Sequence, residues 1–148
     1  MTLVGTPAAG LPGSVSWAAL GALGERLPSG RGWEIRYQAV EALARRGSER
    51  LPFDVLAEML DEDLQMRNRP VRLKDGRVVP DESAARRTVL IGLKAVLEWH
   101  KHSDAVRAVG ADNPGLQRVY AAVERLTHSP NRVVQTEAEN TRLTLRKV

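Results

Sequence analysis

Apolar residues recur at the spacing of an amphipathic helix along most of the chain, and Gly, Pro and Asp residues interrupt that pattern. The interruptions separate six predicted helices. These run from Ser14 or Ser16 to about Leu27, from about Trp33 to Arg46, from Pro52 to Asp61-Glu62-Asp63, from Asp81 or Ser83 to about His102, from Asn113-Pro114 to about Thr127, and, after Ser129-Pro130, towards the C-terminus. Gly47 is the predicted stop of the second helix.

The fourth predicted helix is apolar over most of its circumference. Its charged residues share one narrow stripe, formed by Arg87, Lys94, Glu98 and Lys101. A helix of this kind needs neighbouring elements on several sides to cover its apolar surface, so we expect it in the middle of a stack. The second predicted helix carries a comparable polar stripe, formed by Glu34, Gln38, Glu41 and Arg45.

Parts of this pattern recur along the chain. The sequence A-L-G-E-R-L at residues 22–27 is echoed by A-A-V-E-R-L at residues 121–126, and residues 35–43 are echoed by residues 85–93. Repetition of a helical unit is typical of α-solenoids, in which helix pairs stack on one another. The sequence therefore predicts three helical hairpins in a single domain, residues 14–148. The hairpins are expected over about residues 14–47, 52–103 and 114–147.

The middle unit contains an insertion. Its turn is 17 residues longer than the turns of the outer units, which assigns about residues 64–80 to the insertion. Apolar and charged residues alternate on either side of Asp75-Gly76, and this predicts a β-hairpin with a two-residue turn. Leu73 is expected to face Val78 across the hairpin. An isolated hairpin is marginally stable in water, so we expect it to rest on the helices.

The second predicted helix opens with Ile35-Arg36-x-x-Ala39-x-x-Ala42-Leu43 after an apolar helix and a turn. This pattern resembles the HEAT and HEAT-like (armadillo-type) repeats over roughly residues 15–146. The resemblance implies an all-α fold, a right-handed α-α superhelix of paired antiparallel helices, here with a short β-hairpin inserted in the middle repeat. It also implies a polar ladder, in which a turn Asp pairs with an Arg at the start of each second helix. Arg36 and Arg86 match that Arg position, Gln135 replaces it in the third unit, and Asp61 or Asp63 matches the turn Asp of the second unit.

The formal net charge is +4, and all of this excess lies in the insertion. Residues 64–80 carry one acidic residue, Asp75, and five basic ones, which are Arg67, Arg69, Arg72, Lys74 and Arg77. Arg suits bidentate contacts with carboxylate or phosphate groups. Insertions in repeat proteins often form the binding face. Charges on an edge hairpin also block strand addition and keep it soluble, and the sequence leaves both roles open.

Several functional classes lack support in the sequence. The chain has no Cys, no phosphate-cradling Gly-rich motif and no zinc-peptidase or serine-hydrolase motif. We therefore expect no catalytic centre, no metal site and no cofactor. It has no apolar run of membrane-spanning length. Residues 1–13 lack the features of a secretory signal and are expected to form a disordered lead-in, which favours a cytoplasmic protein.

Three groups of residues admit both a functional and a structural interpretation. The run His100-Lys101-His102-Ser103-Asp104 has the residue types of a metal site or a catalytic triad, but residues two apart on a helix do not share a face. Trp17, Trp33 and Trp99 could stack on bases, yet their apolar neighbours favour packing. Arg36 and Arg86 could bind a ligand, although a partly buried Arg bonded to a turn carboxylate or to helix ends is more common. We predict the structural role for all three groups.

The predicted function is binding of another protein, without catalysis. The predicted surface combines the two polar stripes with the basic insertion, which would steer an acidic partner electrostatically. Its residues are Glu34, Gln38, Glu41, Arg45, Arg87, Lys94, Glu98, Lys101, Arg67, Arg69, Arg72, Lys74 and Arg77. The alternative is nucleic-acid binding, as in HEAT-like alkylpurine DNA glycosylases, although the mixed charge of the stripes counts against it. A weaker alternative is the bilin-lyase branch of HEAT-like proteins, which a pigment-attachment assay would test.

Overall fold

The computed structural model describes residues 32–146, which form seven helices and one two-stranded antiparallel sheet. In chain order these elements are α1 (Gly32–Arg45), α2 (Phe53–Met59), α3 (Glu62–Arg67), β1 (Pro70–Arg72), β2 (Val78–Pro80), α4 (Glu82–His100), α5 (Ser103–Val109), α6 (Pro114–Leu126) and α7 (Arg132–Leu145). The predicted mainly helical class and the presence of a β-hairpin are confirmed for this part of the chain. The predicted first helix, Trp17 and the segment 1–13 lie outside the described residues.

Short polar side chains begin several of the helices. Asp61, Asp81, Asn113 and Asn131 each accept a hydrogen bond from the backbone N–H three residues further on, at 3.0–3.1 Å. Each bond satisfies a donor that the first helical turn leaves without a partner. Pro114 occupies the start of α6, where a missing N–H costs little. The helix starts predicted at Asp81 and at Asn113-Pro114 are thereby confirmed.

The central helix is α4. It packs against α1, α2, α3, α5 and α7, while α6 packs against α2 and α7. Its residues Val89, Leu93, Val96 and Trp99 are almost completely buried. The predicted central position of this helix is confirmed, because neighbours on several sides cover its apolar circumference.

The insertion begins with a helix that the sequence analysis missed. The third predicted helix does not continue to residue 63, since α2 ends at Met59 and Asp61 begins a new helix, α3. Gln65 of α3 is buried, and its Nε2 donates to the Tyr37 hydroxyl (2.9 Å) and to the Glu58 carbonyl (3.0 Å). A buried amide group needs such partners, and here the core supplies them. The first residues of the insertion are therefore part of the core.

A second difference concerns the end of α4. This helix ends at His100 instead of about His102, and a short helix that was not predicted, α5, follows from Ser103 to Val109. Gly110, with φ +88°, ends α5.

Tertiary contacts explain the early end of α4. The Nε2–H of His102 donates to the carbonyl of Arg45 (3.0 Å), the last residue of α1. Gly47 has φ +64° and lies so close to the His102 ring that a Cβ would be 2.2 Å from its Cγ. The indole N–H of Trp99 donates to the Ser48 carbonyl (2.8 Å). The C-terminal ends of α1 and α4 are thus tied together, and the predicted stop at Gly47 is confirmed.

The hairpin has a longer turn than predicted. Its paired residues are Pro70 with Pro80, Val71 with Val79, and Arg72 with Val78. The N–H of Leu73 donates to the Arg77 carbonyl (2.8 Å), and the N–H of Gly76 donates to the Leu73 carbonyl (2.9 Å). The turn therefore has three residues and ends in Gly76 at φ +92°, as in a turn closed by a glycine bulge. The predicted pairing of Leu73 with Val78 is wrong by one position for this reason.

Candidate functional site

A cleft of about 360 Å³ opens between α1 and α4. It is lined by Trp33, Glu34, Tyr37, Gln38, Glu41, Met59, Arg69, Arg87, Thr88 and Ile91. Five of the predicted binding residues meet here, namely Glu34, Gln38 and Glu41 from α1, Arg87 from α4, and Arg69 from the insertion. The cleft therefore joins the two polar stripes to the root of the hairpin, and its walls carry charges of both signs.

The wall of the cleft is fixed by a polar network around Tyr37. The Tyr37 hydroxyl donates to Oε2 of Glu58 (2.5 Å) and accepts from Gln65. Burial, followed by the bond to Glu58, raises the pKa of Tyr37, so this hydroxyl stays neutral and acts as a donor. Arg36 lies 3.5 Å from the same Glu58 oxygen and is partly buried. The network joins α1, α2 and α3 below the cleft.

Arg36 and Arg86 are both engaged within the protein, in agreement with the predicted structural role. Their partners differ from those that the HEAT-like resemblance implies. Arg36 pairs with Glu58 of α2, whereas Arg86 pairs with Glu82 one turn earlier in its own helix (2.8 Å). Asp61 caps α3 instead of pairing with an arginine. Within residues 32–146, no ladder of Arg–turn-Asp pairs is present.

Arg69 anchors the hairpin and is not a free charge. Its guanidinium carbon lies 3.8 Å from the centroid of the Trp33 ring, which is a cation–π contact. Its Nη1 donates to the carbonyl of Ala84 in α4 (3.2 Å). Burial lowers the pKa of Arg69. This one side chain thus links the start of β1 to both α1 and α4, a role that the charge count could not reveal.

The other basic residues of the insertion extend away from the helices. Arg67, Arg72 and Lys74 are exposed, and no carboxylate within residues 32–146 forms an ion pair with them. Arg77 instead pairs with Asp75 (2.7 Å). The backbone N–H of Arg77, and then its side chain, hydrogen-bond to Asp75 and lower the pKa of that carboxyl. Three of the five predicted cations are therefore available to a partner.

The hairpin also exposes apolar surface. Val71 is 42% exposed and Val78 is 57% exposed, on opposite strands. The prediction that the hairpin rests on the helices holds mainly at its root, through Arg69. The segment defined by residues 70–80 is called the hairpin arm below.

Two prolines protect the base of the hairpin arm against strand addition. Hydrogen bonds join Leu73 to Arg77 and Arg69 to Asp81, so the alternate pair Pro70–Pro80 is a non-hydrogen-bonded pair whose backbone groups point outwards. Proline has no N–H to offer an added strand. Arg72 and Val78 form the other non-hydrogen-bonded pair, so the prolines block strand addition at the base of the arm and not along its whole length.

The two polar stripes are displayed by neighbouring helices. The α1 stripe is Glu34, Gln38, Glu41 and Arg45, and the α4 stripe is Arg87, Lys94, Glu98 and Lys101. None of these eight side chains is buried. A second groove, of about 460 Å³, continues along α4 beyond the cleft. It is lined by Ser83, Arg86, Arg87, Leu90, Ile91 and Lys94, of which the partly buried Leu90 and Ile91 add an apolar strip.

The histidine-rich run does not assemble into a site. His102 is bonded to the end of α1, and Asp104 pairs with Arg107. Both ring nitrogens of His100 are buried without a hydrogen-bond partner among the described residues, and burial lowers its pKa. Over residues 32–146, no three His, Asp, Glu or Cys side chains are grouped as a metal ion would require.

The two described tryptophans differ. Trp99 is 2% exposed and packs edge-on against Phe53, with ring centroids 5.3 Å apart, as predicted for a packing residue. Trp33 is only partly buried, and it carries Arg69 on its ring while it contacts Tyr37 at 5.6 Å. The contact between Trp33 and Tyr37 could have been expected from the sequence, because residues four positions apart on a helix lie on the same face.

None of the helices within residues 32–146 is long and apolar enough to cross a membrane. Comparison of the chain with models of protein families, with curated proteins and with solved structures found no match. The function of the cleft, the stripes and the hairpin arm has to be inferred from their own geometry and chemistry.

Proposed function

We propose that this protein is a non-enzymatic, cytoplasmic HEAT-like scaffold that binds another protein through its stripes and its hairpin arm. In this proposal three helical hairpins form a right-handed superhelix. The packing order supports it, since α1 and α7 each pack against α4, and α2 packs against α6. These are the contacts expected between successive second helices and successive first helices of stacked repeats.

The observation that carries the binding role is the composition of the hairpin arm and its flank. Arg67, Arg72 and Lys74 are exposed and free of ion pairs within the described residues. The arm also exposes Val78, which is paired with Arg72 across the hairpin, and Val71 on the opposite face of the sheet. A device for solubility alone would need charges and blocked edges, but it would not need exposed valines. Charge steers an acidic partner towards the arm, and the valines provide apolar contact area.

A peptide-display selection on the intact chain tests this proposal. Selected peptides should be rich in Asp and Glu and should bind R67Q/R72Q/K74Q at least tenfold more weakly, since several charge-assisted contacts are lost. The control variant R132Q changes an exposed Arg of α7 and should bind them as the intact chain does. Peptides that bind all three proteins equally would remove the hairpin arm from the binding surface.

Nucleic-acid binding is the second candidate, and the same free cations favour it. Glu34 and Glu41 in the adjoining cleft oppose it, because they repel phosphate. A salt titration with a DNA duplex separates the two candidates. Affinity that falls steeply with salt would support nucleic-acid binding, whereas absence of binding at low salt would reject it.

A further inference from the structure

The α1 and α4 stripes lie side by side and at the same level. Glu34, Gln38 and Glu41 of α1 line the same cleft as Arg87 and Ile91, which belong to the first half of α4. At the other end, the contacts of His102 with Arg45 and of Trp99 with Ser48 tie the two C-termini together. Both helices therefore run in the same direction, with little offset along their axes.

The two stripes carry opposite charges, position by position. Residues 34, 38, 41 and 45 of α1 have the same helical spacing as residues 87, 91, 94 and 98 of α4, with a constant separation of 53 positions. This spacing, together with the shared cleft, matches Glu34 with Arg87, Gln38 with Ile91, Glu41 with Lys94, and Arg45 with Glu98. The signs read minus, neutral, minus, plus along α1, and plus, neutral, plus, minus along α4.

These charges are not neutralised by each other inside the molecule. Among the ion pairs formed within residues 32–146, none joins the α1 stripe to the α4 stripe, and none uses any of the six charged residues named above. All six are exposed or partly exposed. The face therefore presents two adjacent stripes with complementary charges, and no ion pair within residues 32–146 connects them.

A second copy of the same face would pair both rows at once. A two-fold axis that runs between α1 and α4, parallel to them, carries the α1 stripe of one copy over the α4 stripe of the other, at the same level. Each of the three charge pairs then forms twice, as an interface of two-fold symmetry requires. Ile91, which is partly exposed and lines both the cleft and the second groove, lies within this face and supplies apolar contact.

We infer that the face formed by the α1 and α4 stripes is the interface of a symmetric homodimer. The inference uses part of the surface in the proposed function, but it does not depend on whether the hairpin arm binds an acidic partner. The dimer narrows the proposed function, because a second copy of this chain is then the partner of the stripes, and the hairpin arm alone is left to contact other proteins. Because the contacts are charged, the dimer is more stable at low salt than at about 0.15 M, where the screening length is about 8 Å.

Charge reversal of one row at a time tests the dimer by analytical ultracentrifugation. The first variant, E34K/E41K/R45E, reverses the α1 stripe, and the second, R87E/K94E/E98K, reverses the α4 stripe. Each should raise the dimer dissociation constant roughly a hundredfold or more at low salt, since six attractive contacts become repulsive. An equimolar mixture of the two variants should form a heterodimer, because every level is then complementary in both halves. The six-fold variant that carries both reversals should recover the homodimer.

Matched controls keep the result clear. The variant R132E/E137K reverses two exposed charges on α7 and should dimerise as the intact chain does. The variant R67Q/R72Q/K74Q alters the hairpin arm and its flank, and it should also remain dimeric, so that loss of partner binding and loss of the dimer are distinguishable. Circular dichroism monitors folding, and the milder variant E41Q/K94Q should weaken the dimer if a triple variant does not fold.

Three outcomes would overturn the inference. One is an intact chain that stays monomeric at low salt at every concentration. Another is a single-row variant that dimerises like the intact chain, which would place the interface elsewhere. The last is a pair of folded single-row variants that remain monomers when mixed, which would leave the face to a different partner.

Discussion

The α1–α4 pair and the hairpin arm are held in place by very different means. Residues Val40 and Val89 are completely buried in the common core, and the ends of α1 and α4 are tied by Trp99 and His102. The arm has two strands of three residues each, exposed valines, and one anchoring side chain at its root, Arg69. Stability is thus concentrated in the helix pair, while the free charge is concentrated in and beside the arm.

The structure changes which residues of the insertion can be deleted without damage to the helices. The sequence places the insertion at residues 64–80, but Gln65 is buried under Tyr37 and Arg69 holds the cation–π contact. Deleting the whole insertion would therefore damage the core. A deletion of residues 70–80, closed by a short turn, should keep the helices and remove most of the exposed contact surface, since the arm itself buries little.

The largest expected effect comes from the core of the helix pair. Replacing Trp99 by Ala removes a side chain that is 2% exposed, together with its hydrogen bond to Ser48. We expect a loss of about 3–5 kcal/mol in the free energy of unfolding, measured by urea denaturation. Trp33→Ala is the matched control, because Trp33 is only partly buried and should cost clearly less. Equal losses for the two variants would contradict the comparison.

Two glycine substitutions give the next largest contrast. Gly47 and Gly76 both have positive φ, but a Cβ at Gly47 would meet the His102 ring, whereas a Cβ at Gly76 has no neighbour within 4 Å. We expect Gly47→Ala to cost about 2–3 kcal/mol, because backbone strain and a steric clash add. Gly76→Ala carries the backbone strain alone, about 1–2 kcal/mol at most, within the arm. If Gly76→Ala lowered the global stability as much as Gly47→Ala, the arm would belong to the cooperative core.

A smaller effect is expected at the root of the arm. Arg69→Ala removes the cation–π contact with Trp33, worth about 0.5–1 kcal/mol, and the bond to Ala84. Hydrogen exchange of the amides of residues 70–80 should become faster, since the arm loses its anchor. Arg72→Ala removes an exposed Arg of β1 and should leave exchange unchanged. Equal protection in both variants would show that Arg69 is not the anchor.

The smallest effects concern pH. Burial lowers the pKa of His100 below its ordinary value of 6.5, so the unfolded chain binds a proton more readily than the folded one. The stability that comes from a neutral His100 is complete above pH 6.5 and is lost as the pH falls from there towards the folded pKa. In urea unfolding experiments, His100→Gln should reduce the dependence of the free energy of unfolding on pH in this range. If the free energy of unfolding of His100→Gln changed with pH as steeply as that of the intact chain, another group would be responsible for the proton uptake.

In the arm the corresponding group is Asp75. Bonds from Arg77 lower its pKa below 3.8, so its contribution is present above pH 3.8 and is lost as the pH falls from there towards the folded pKa. Asp75→Asn should alter exchange in the arm in this lower window only. The stability of the helix pair should therefore begin to fall below pH 6.5, and that of the arm only below pH 3.8.

Helix ends could be predicted from the sequence where a capping residue or a glycine at the end itself determines them. Asp81, Asn113 and Gly47 mark helix ends through hydrogen bonds or backbone conformations that neighbouring residues determine. The end of α4 was not predictable in this way. It depends on the bond from His102 to Arg45, 57 positions earlier, and no local pattern contains such a partner.

The binding surface shows the same division. Charge patterning selected both stripes and the basic insertion, and the structure brings five of those residues to one cleft. Counting charges treated Arg69 like Arg72, although one is held on Trp33 and the other is exposed. The difference depends on the position of an aromatic ring 36 positions away, which composition does not record.

The sequence alone determined the helical class, the apolar circumference of α4, the existence of the hairpin and the concentration of charge in the insertion, because these follow from the order of residues along a short stretch of chain. The tertiary structure alone decided that α3 is part of the core, that the turn has three residues, and that the α1 and α4 stripes lie level with each other. The physical reason is that burial, ion pairing and shared level are properties of groups brought together by packing, and packing joins residues that are far apart in the chain.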